Sequence, residues 1–409
     1  MFENLLYQNA SRLLISDICK EQVPGAMLFS GPKSSGKLTC ALETARILSC
    51  TGSAKGSWNC TCNSCLQHKA LVSNNVILAG PKDCTPEISA AASAFLAAYA
   101  QNASYLLATR YLFLRSIRKL TIRFNPVLWK EDDKLNKIAA IISEIDEDLE
   151  VLDIPRPLPS YDEVAKLTEK LIKLCNKLES DFLYDSIPIN QIRNVSSWAR
   201  MKSVEGKKTI IIENADRMLE SVRNALLKIL EEPPVDTIFI LTTSQRNLVM
   251  PTILSRVRTY SFANRNATQQ NDVINRVFHV QDFNGTIEDF LLTFLPVSPE
   301  VLRQAASKFL CDCASGQIPD LQEIIKNCGN FDPRVMLKIF LDGITISQRG
   351  LINSPNGCEA STQIMQCLRD CWNDVTIYNQ SVISSLEKLL RDIVKVNKTH
   401  GNVLKCVIM

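Results

Sequence analysis

The chain has little net charge and no long apolar run. Its 409 residues carry 46 Lys and Arg against 43 Asp and Glu, a formal charge of +3. That balance excludes a protein coated with positive charge for wrapping nucleic acid and leaves room only for a local basic patch. No apolar stretch approaches the roughly 18 residues that a membrane-crossing helix needs. The opening Met1-Phe2-Glu3-Asn4 lacks a basic segment followed by an apolar one, so no export signal and a cytoplasmic location are expected. Internal repeats and low-complexity tracts are missing too. Hydrophobic residues at 46% and charged residues at 22% exclude extended disorder. At roughly 100–200 residues per domain, the length suits two to four domains.

Cysteine, by contrast, is plentiful. There are fifteen, and an odd count without an export signal argues against a disulfide framework. Four of them, Cys50, Cys60, Cys62 and Cys65, follow the spacing C-x9-C-x-C-x2-C. Four thiolates in so short a span suit a closed, structural Zn²⁺ site, although the single residue between Cys60 and Cys62 is tighter than the usual two. His68 stands near as a reserve ligand, a surface histidine being the plainer reading. The other eleven, from Cys19 to Cys406, read as small core hydrophobes.

Residues 25–30 form a short apolar run entering the loop Gly31-Pro32-Lys33-Ser34-Ser35-Gly36-Lys37-Leu38-Thr39, and helical periodicity resumes over 38–48. The loop nearly matches G-x-x-x-x-G-K-[ST], in which glycines let backbone N–H groups wrap a phosphate at a helix N-terminus and the lysine reaches the outer phosphates. Leu38 stands where a hydroxyl normally binds Mg²⁺. Thr39 lies one place further, about 100° around the helix, and is a poor substitute. A second strand at 208–212 runs into Glu213-Asn214-Ala215-Asp216. Glu213 is placed to approach a metal, but no carboxylate follows it to activate water. Both halves of a hydrolytic site are degraded together. Strands at 237–241 and 259–262 complete the expectation of a parallel sheet, and beyond about 265 the pattern is helical. Ser255-Arg256 follows the third of these strands; from spacing alone the arginine reads as a surface charge.

Residues 86–180 interrupt the α/β rhythm and read as a helical insertion. Arg110, Arg115, Arg118, Lys119, Arg123 and Lys130 are interleaved with Tyr111, Phe113, Phe124 and Trp129, a mixture that suits phosphate contact and base stacking. Acids follow at once at 131–133 and 144–150, so pairing with those acids inside a helical hairpin is the favoured reading over DNA binding.

The stretch 207–262, with NALLK-LEEPP over 224–234, the sensor-like Leu241-Thr242-Thr243 and PTI-SR over 251–256, resembles the delta-prime family of bacterial replicative clamp-loader subunits, within the AAA+ superfamily of DNA polymerase III proteins. MFENLLYQN, the strand before GPKSSGK and the four-cysteine module match as well. The resemblance implies a P-loop (AAA+/RecA-like) core over 1–85 and 181–264 with a parallel sheet and a zinc module at 50–65. A helical lid over 265–315 and an all-α collar over 316–409 would follow, with the 86–180 insertion left unexplained. It implies a stator without ATPase activity of its own, joined to motor subunits and a delta subunit in a hetero-pentameric ring that loads the sliding clamp onto primer-template DNA. Arg256 then becomes a finger aimed at the neighbouring motor's ATP, although Val257 replaces the family's cysteine. Gly31, Gly36, Lys37, Thr39, Glu213 and Thr243 are the expected remnant of a nucleotide site, with ATP/Mg²⁺ binding there in doubt. The alternative is a gamma/tau-like motor or another AAA+ ATPase of replication or repair.

Overall fold

The computed structural model describes residues 1–80, 84–184, 186–203, 206–331, 334–378 and 380–404; Cys406 lies outside them. The chain divides into two compact units, Met1–Leu291 and Leu292–Met409.

Unit 1 is built on five parallel strands: β1 (Ala26–Ser30), β2 (Val76–Ala79), β3 (Lys208–Ile212), β4 (Thr237–Thr243) and β5 (Arg258–Ser261), in the order β2-β3-β4-β1-β5. The expected α/β core with a parallel sheet is therefore present. β2 was not expected: four apolar residues between Asn75 and Gly80 are too few to show a period, and only pairing with β3 makes them a strand.

Successive side chains on a strand point to opposite faces, and here both faces are covered. Met27, Phe29, Leu78, Ile211 and Ile240 pack with the helices Ala10–Cys19 and Lys37–Leu48. Leu28, Ile77, Ile210, Ile212 and Phe239 pack on the other side with Ile88, Phe95, Phe113, Leu171 and Ile192. The second group changes the view of 86–180. Its helices, Thr85–Ala100, Leu106–Thr121, Leu135–Val151 and Tyr161–Phe182, share one continuous core with the sheet rather than forming an appendage. Phe95 and Phe113 stack inside it with centroids 5.8 Å apart.

Punctuation by proline and glycine is local and physical. The helix Glu220–Glu231 stops before Pro233-Pro234, and Pro233 lies so close to Gly25 that an added Cβ would stand 2.4 Å from its Cγ.

Unit 2 is all helical in its described residues. Pro299–Ser315, Val335–Ser347, Pro355–Thr376 and Val382–Thr399 bury Leu302, Phe309, Phe340, Ile364, Leu389 and Ile393. An added Cβ on Gly343 would lie 2.8 Å from that of Ala306, so two helices cross there at close range. The unit boundary falls within 265–315: Ala267–Phe278 belongs to unit 1, while Pro299–Ser315 packs on Val335–Ser347 in unit 2.

Because the helical layer and the sheet form one core, Phe95→Ala should destabilise unit 1 by about 3–5 kcal/mol, the usual cost of emptying a buried Phe site. Denaturant unfolding followed by tryptophan fluorescence measures it; a change confined to a few tenths would show that the layer folds apart from the sheet.

Candidate functional site at the carboxyl ends of the strands

In open α/β sheets, ligands bind beyond the carboxyl ends of the strands, and there the loop 31–36 joins β1 to the helix Lys37–Leu48. Gly31 donates its N–H to Thr243 at 3.2 Å, and an added Cβ would meet the carbonyl of Phe262 at 2.5 Å. Gly36 caps the helix with φ at +93°, a left-handed conformation that glycine adopts without strain. Lys37 curls back over its own loop. Its Nζ donates to the carbonyls of Gly31 (2.7 Å) and Pro32 (2.5 Å). Burial pulls its pKa down to about 8, with Glu213 and Asp216 acting in the opposite sense. Arg265, just past β5, holds the loop from outside through Ser34 O (2.7 Å) and Leu6 O (2.9 Å). Leu38 packs into the apolar core beside the sheet, and Thr39 is half-buried on the helix.

At the end of β3, Glu213 forms an ion pair with Arg123. Arg123 comes from the short turn Ile122–Phe124 in the helical layer and is 5% exposed. Burial opposes its charge, but the carboxylates of Glu213, Glu179 and Glu87 outweigh that and raise its pKa. Glu213, expected to approach a metal, instead lies against an arginine. Asn214 takes a left-handed conformation at φ 51°, and Asp216 accepts from the Thr243 hydroxyl at 2.5 Å. Divalent-ion sites of this kind need a free carboxylate and a hydroxyl. With Glu213 on Arg123, Asp216 on Thr243 and Leu38 at the hydroxyl position, these residues do not fit Mg²⁺.

Arg256 follows the helix Pro251–Leu254 and is part-exposed. Its Nε donates to Glu231 at 3.0 Å and its Nη1 to the carbonyl of Thr252 at 2.7 Å. It is held at the surface by one carboxylate, one carbonyl and the Ser255 hydroxyl at 3.2 Å.

The sulfurs of Cys50, Cys60, Cys62 and Cys65 all lie within 4.8 Å of one another, a donor set that can hold a metal ion. Gly52 is required beside them, since a Cβ would stand 2.5 Å from the Cys60 sulfur. Behind the cluster, Arg46 is fully buried. It donates to Cys65 Sγ (3.1 Å), Ser57 O (3.0 Å) and Gly56 O (2.8 Å) and pairs with Glu43 at 2.6 Å. The N–H of Cys65 and other donors bring the Cys62 thiol down to about 5, whereas burial pushes Cys65 up to about 12. His68 is neither ligand nor surface residue. It is 4% exposed and hydrogen-bonds Ser73 at 3.3 Å, because the helix Asn63–Ala70 turns it inward.

The basic segment is self-paired, but apart from the exposed Lys130–Glu131 contact at 4.0 Å its partners are not the acids beside it in sequence. Arg118 pairs with Asp153 at 2.8 Å, Lys119 with Glu87 and Arg123 with Glu213, while Arg110 donates to the carbonyls of Leu152, Asp153 and Arg156. Glu144 and Asp148 instead hold Lys170. The reason is the turn of the helices: the layer packs Leu106–Thr121 against Thr85–Ala100, which brings distant carboxylates nearer than adjacent ones. The aromatics are consumed in packing, Phe113 on Phe95 and Phe124 on Trp129.

A family model described as "DNA polymerase III, delta subunit" matches residues 7–266. The chain belongs to that family. The delta-subunit family match spans the loop, the cysteine cluster, the helical layer and Arg256. Among curated relatives, DNA polymerase III subunit delta' of Pseudomonas aeruginosa is 35% identical over 80 residues, 19% of this chain and 24% of that protein. The Bacillus subtilis subunit delta' is 46% identical over 56 residues, 14% of this chain and 17% of the relative. Subunit gamma/tau of Mycobacterium bovis is 44% identical over 55 residues, 13% and 10% respectively. The aligned stretches thus span a quarter or less of these relatives. A solved gamma subunit-related protein of Thermotoga maritima covers 56% of this chain and 89% of its own at 15% identity; its TM-score of 0.28 is too low to bear on fold or function.

Two residues of this delta-subunit-family site were not legible as site residues in the sequence. Arg265 lies outside any motif, and Arg123 gains its meaning only from the fold.

His68 supplies a pH test. Burial, with Arg46 and Arg115 nearby, lowers its pKa to about 4. The unfolded chain therefore binds more protons between that value and the ordinary value near 6.5, and stability falls as pH drops through this window. His68→Gln should flatten the part of the stability–pH curve between about pH 6.5 and 4, measured by thermal unfolding; an unchanged slope would contradict the buried, neutral imidazole.

Proposed function

We propose that this clamp-loader-family chain is a delta-prime-type stator: it does not hydrolyse ATP itself and completes the ATP site of a neighbouring motor subunit. The observation that carries this reading is the end of β3, where Glu213 is taken by Arg123 and Asn214 stands where a water-activating carboxylate is needed. Leu38 at the hydroxyl position and Lys37 folded onto its own loop agree with it.

Arg256 supplies the active contribution. A guanidinium reaching a γ-phosphate offsets the charge that builds up in phosphoryl transfer, an effect on the order of 10³–10⁵ in rate. Its pair with Glu231 is part-exposed at both ends, and such pairs contribute only about 0–1 kcal/mol, so exchanging that carboxylate for a phosphate costs little. In this reading the chain works in the cytoplasm beside motor and delta subunits in a five-membered ring acting on a sliding clamp and primed DNA.

The metal of the cysteine cluster is Zn²⁺ in this reading. Four sulfur donors suit its tetrahedral preference, and a closed Cys₄ set leaves no open position for catalysis. Zinc analysis should find one ion per chain, and Cys62→Ser with Cys65→Ser should lose it together with thermal stability. Full zinc content in the double variant would refute the assignment.

The match to gamma/tau subunits favours a second reading, a motor ATPase. Turnover separates the two. The purified chain should hydrolyse ATP no faster than its Lys37→Ala variant; clear turnover that Lys37→Ala abolishes would establish the motor. In a complex reconstituted with motor subunits, Arg256→Ala should reduce DNA-stimulated hydrolysis at least tenfold while assembly, followed by gel filtration, stays intact. Unchanged hydrolysis would end the finger role.

A further inference from the structure

The geometry points to Arg123 as a built-in cation that holds the place a divalent ion takes at the end of β3, so that this site is closed to Mg²⁺. The inference deepens the stator reading and rests on it.

The carboxylate at the end of this strand ordinarily receives a divalent ion. Here Glu213 is fixed by its N–H on Ala79 O at 2.9 Å, and its Oε2 lies over Gly80, where an added Cβ would be 2.6 Å away. The same oxygen accepts from Arg123 Nη2. The arginine is anchored on its own side. Its Nη1 donates to Lys119 O at 2.7 Å, and its carbonyl accepts from the Trp129 indole at 3.0 Å. Trp129 is itself stacked between Phe124 and Tyr184.

Other charges nearby are already committed. Glu87 pairs with Lys119, and Glu179 accepts from the N–H groups of Cys84 and Thr85 at 3.1 and 2.9 Å. Glu213 is therefore the carboxylate on which Arg123 spends its charge. A hydrated divalent ion would have to displace a buried guanidinium and leave it unpaired, and removing one partner of a buried pair is strongly unfavourable. Mg²⁺, which gives up its water reluctantly, has little with which to offset that.

The test uses the full chain and Mn²⁺ alone as the probe, with free Mn²⁺ counted by electron paramagnetic resonance. Wild type and Glu213→Gln should bind the same small amount of Mn²⁺. Arg123→Gln should gain one Mn²⁺ with an apparent Kd at least tenfold lower, the double variant Arg123→Gln/Glu213→Gln should lose that gain, and Arg123→Lys should behave as wild type. Mn²⁺ bound by wild type and lost in Glu213→Gln would overturn the inference, as would a folded Arg123→Gln variant that gains none. If Arg123→Gln does not fold, the comparison of wild type with Glu213→Gln decides by itself: equal binding supports the inference and a loss refutes it. ATP turnover by wild type would instead sink the stator reading, and an inert chain that binds Mn²⁺ through Glu213 would sink only this inference.

Discussion

The ion pair between Arg123 and Glu213 ties the two halves of unit 1 to one another at the point where a nucleotide fold does its chemistry. Glu213 ends a central strand of a parallel sheet, and Arg123 belongs to the helical layer that covers one face of that sheet. A charge buried to 5% exposure must be paired. The layer therefore cannot shift against the strand ends without stranding a guanidinium. The strand end and the layer are thereby joined through a buried ion pair.

Around that joint several other polar side chains find partners within the chain, although Arg123 Nε itself is buried without one. Lys37 rests on its own loop, Asp216 takes the Thr243 hydroxyl, and Arg265 pins Ser34 and Leu6. Each contact is short and internal, and together they describe a nucleotide loop braced from every side. Arg256 differs: its partner is an exposed glutamate, and its guanidinium lies at the surface. Fixed side chains at the strand ends and a surface arginine at the edge are the features on which the proposed stator role rests.

Much of this was legible in one dimension. The glycine loop, the run 208–212 and the LEEPP helix announce their elements, because apolar β-branched runs and glycines at positive φ are local properties. The cysteine quartet was readable for the same reason: the helix Asn63–Ala70 starts at Cys62 and the loop before it is short, so proximity in sequence enforces proximity in space. Two things were not readable. β2 is too short to show a period and becomes a strand only beside β3. The basic segment names its charges but not their partners: Lys130 meets the adjacent Glu131, whereas Arg118, Lys119 and Arg123 meet Asp153, Glu87 and Glu213.

The sequence by itself determined the parallel α/β core, the loop with Leu38 in place of a hydroxyl, the missing second carboxylate after β3 and the helical C-terminal unit. These follow from residue type and spacing within a few turns of chain. Only the tertiary structure decided that 85–182 is a layer of the core, that His68 is buried, and that Arg123 meets Glu213 across 90 residues. Pairing at that separation depends on how helices pack over a sheet, and packing direction is set by the whole apolar surface at once rather than by any local pattern.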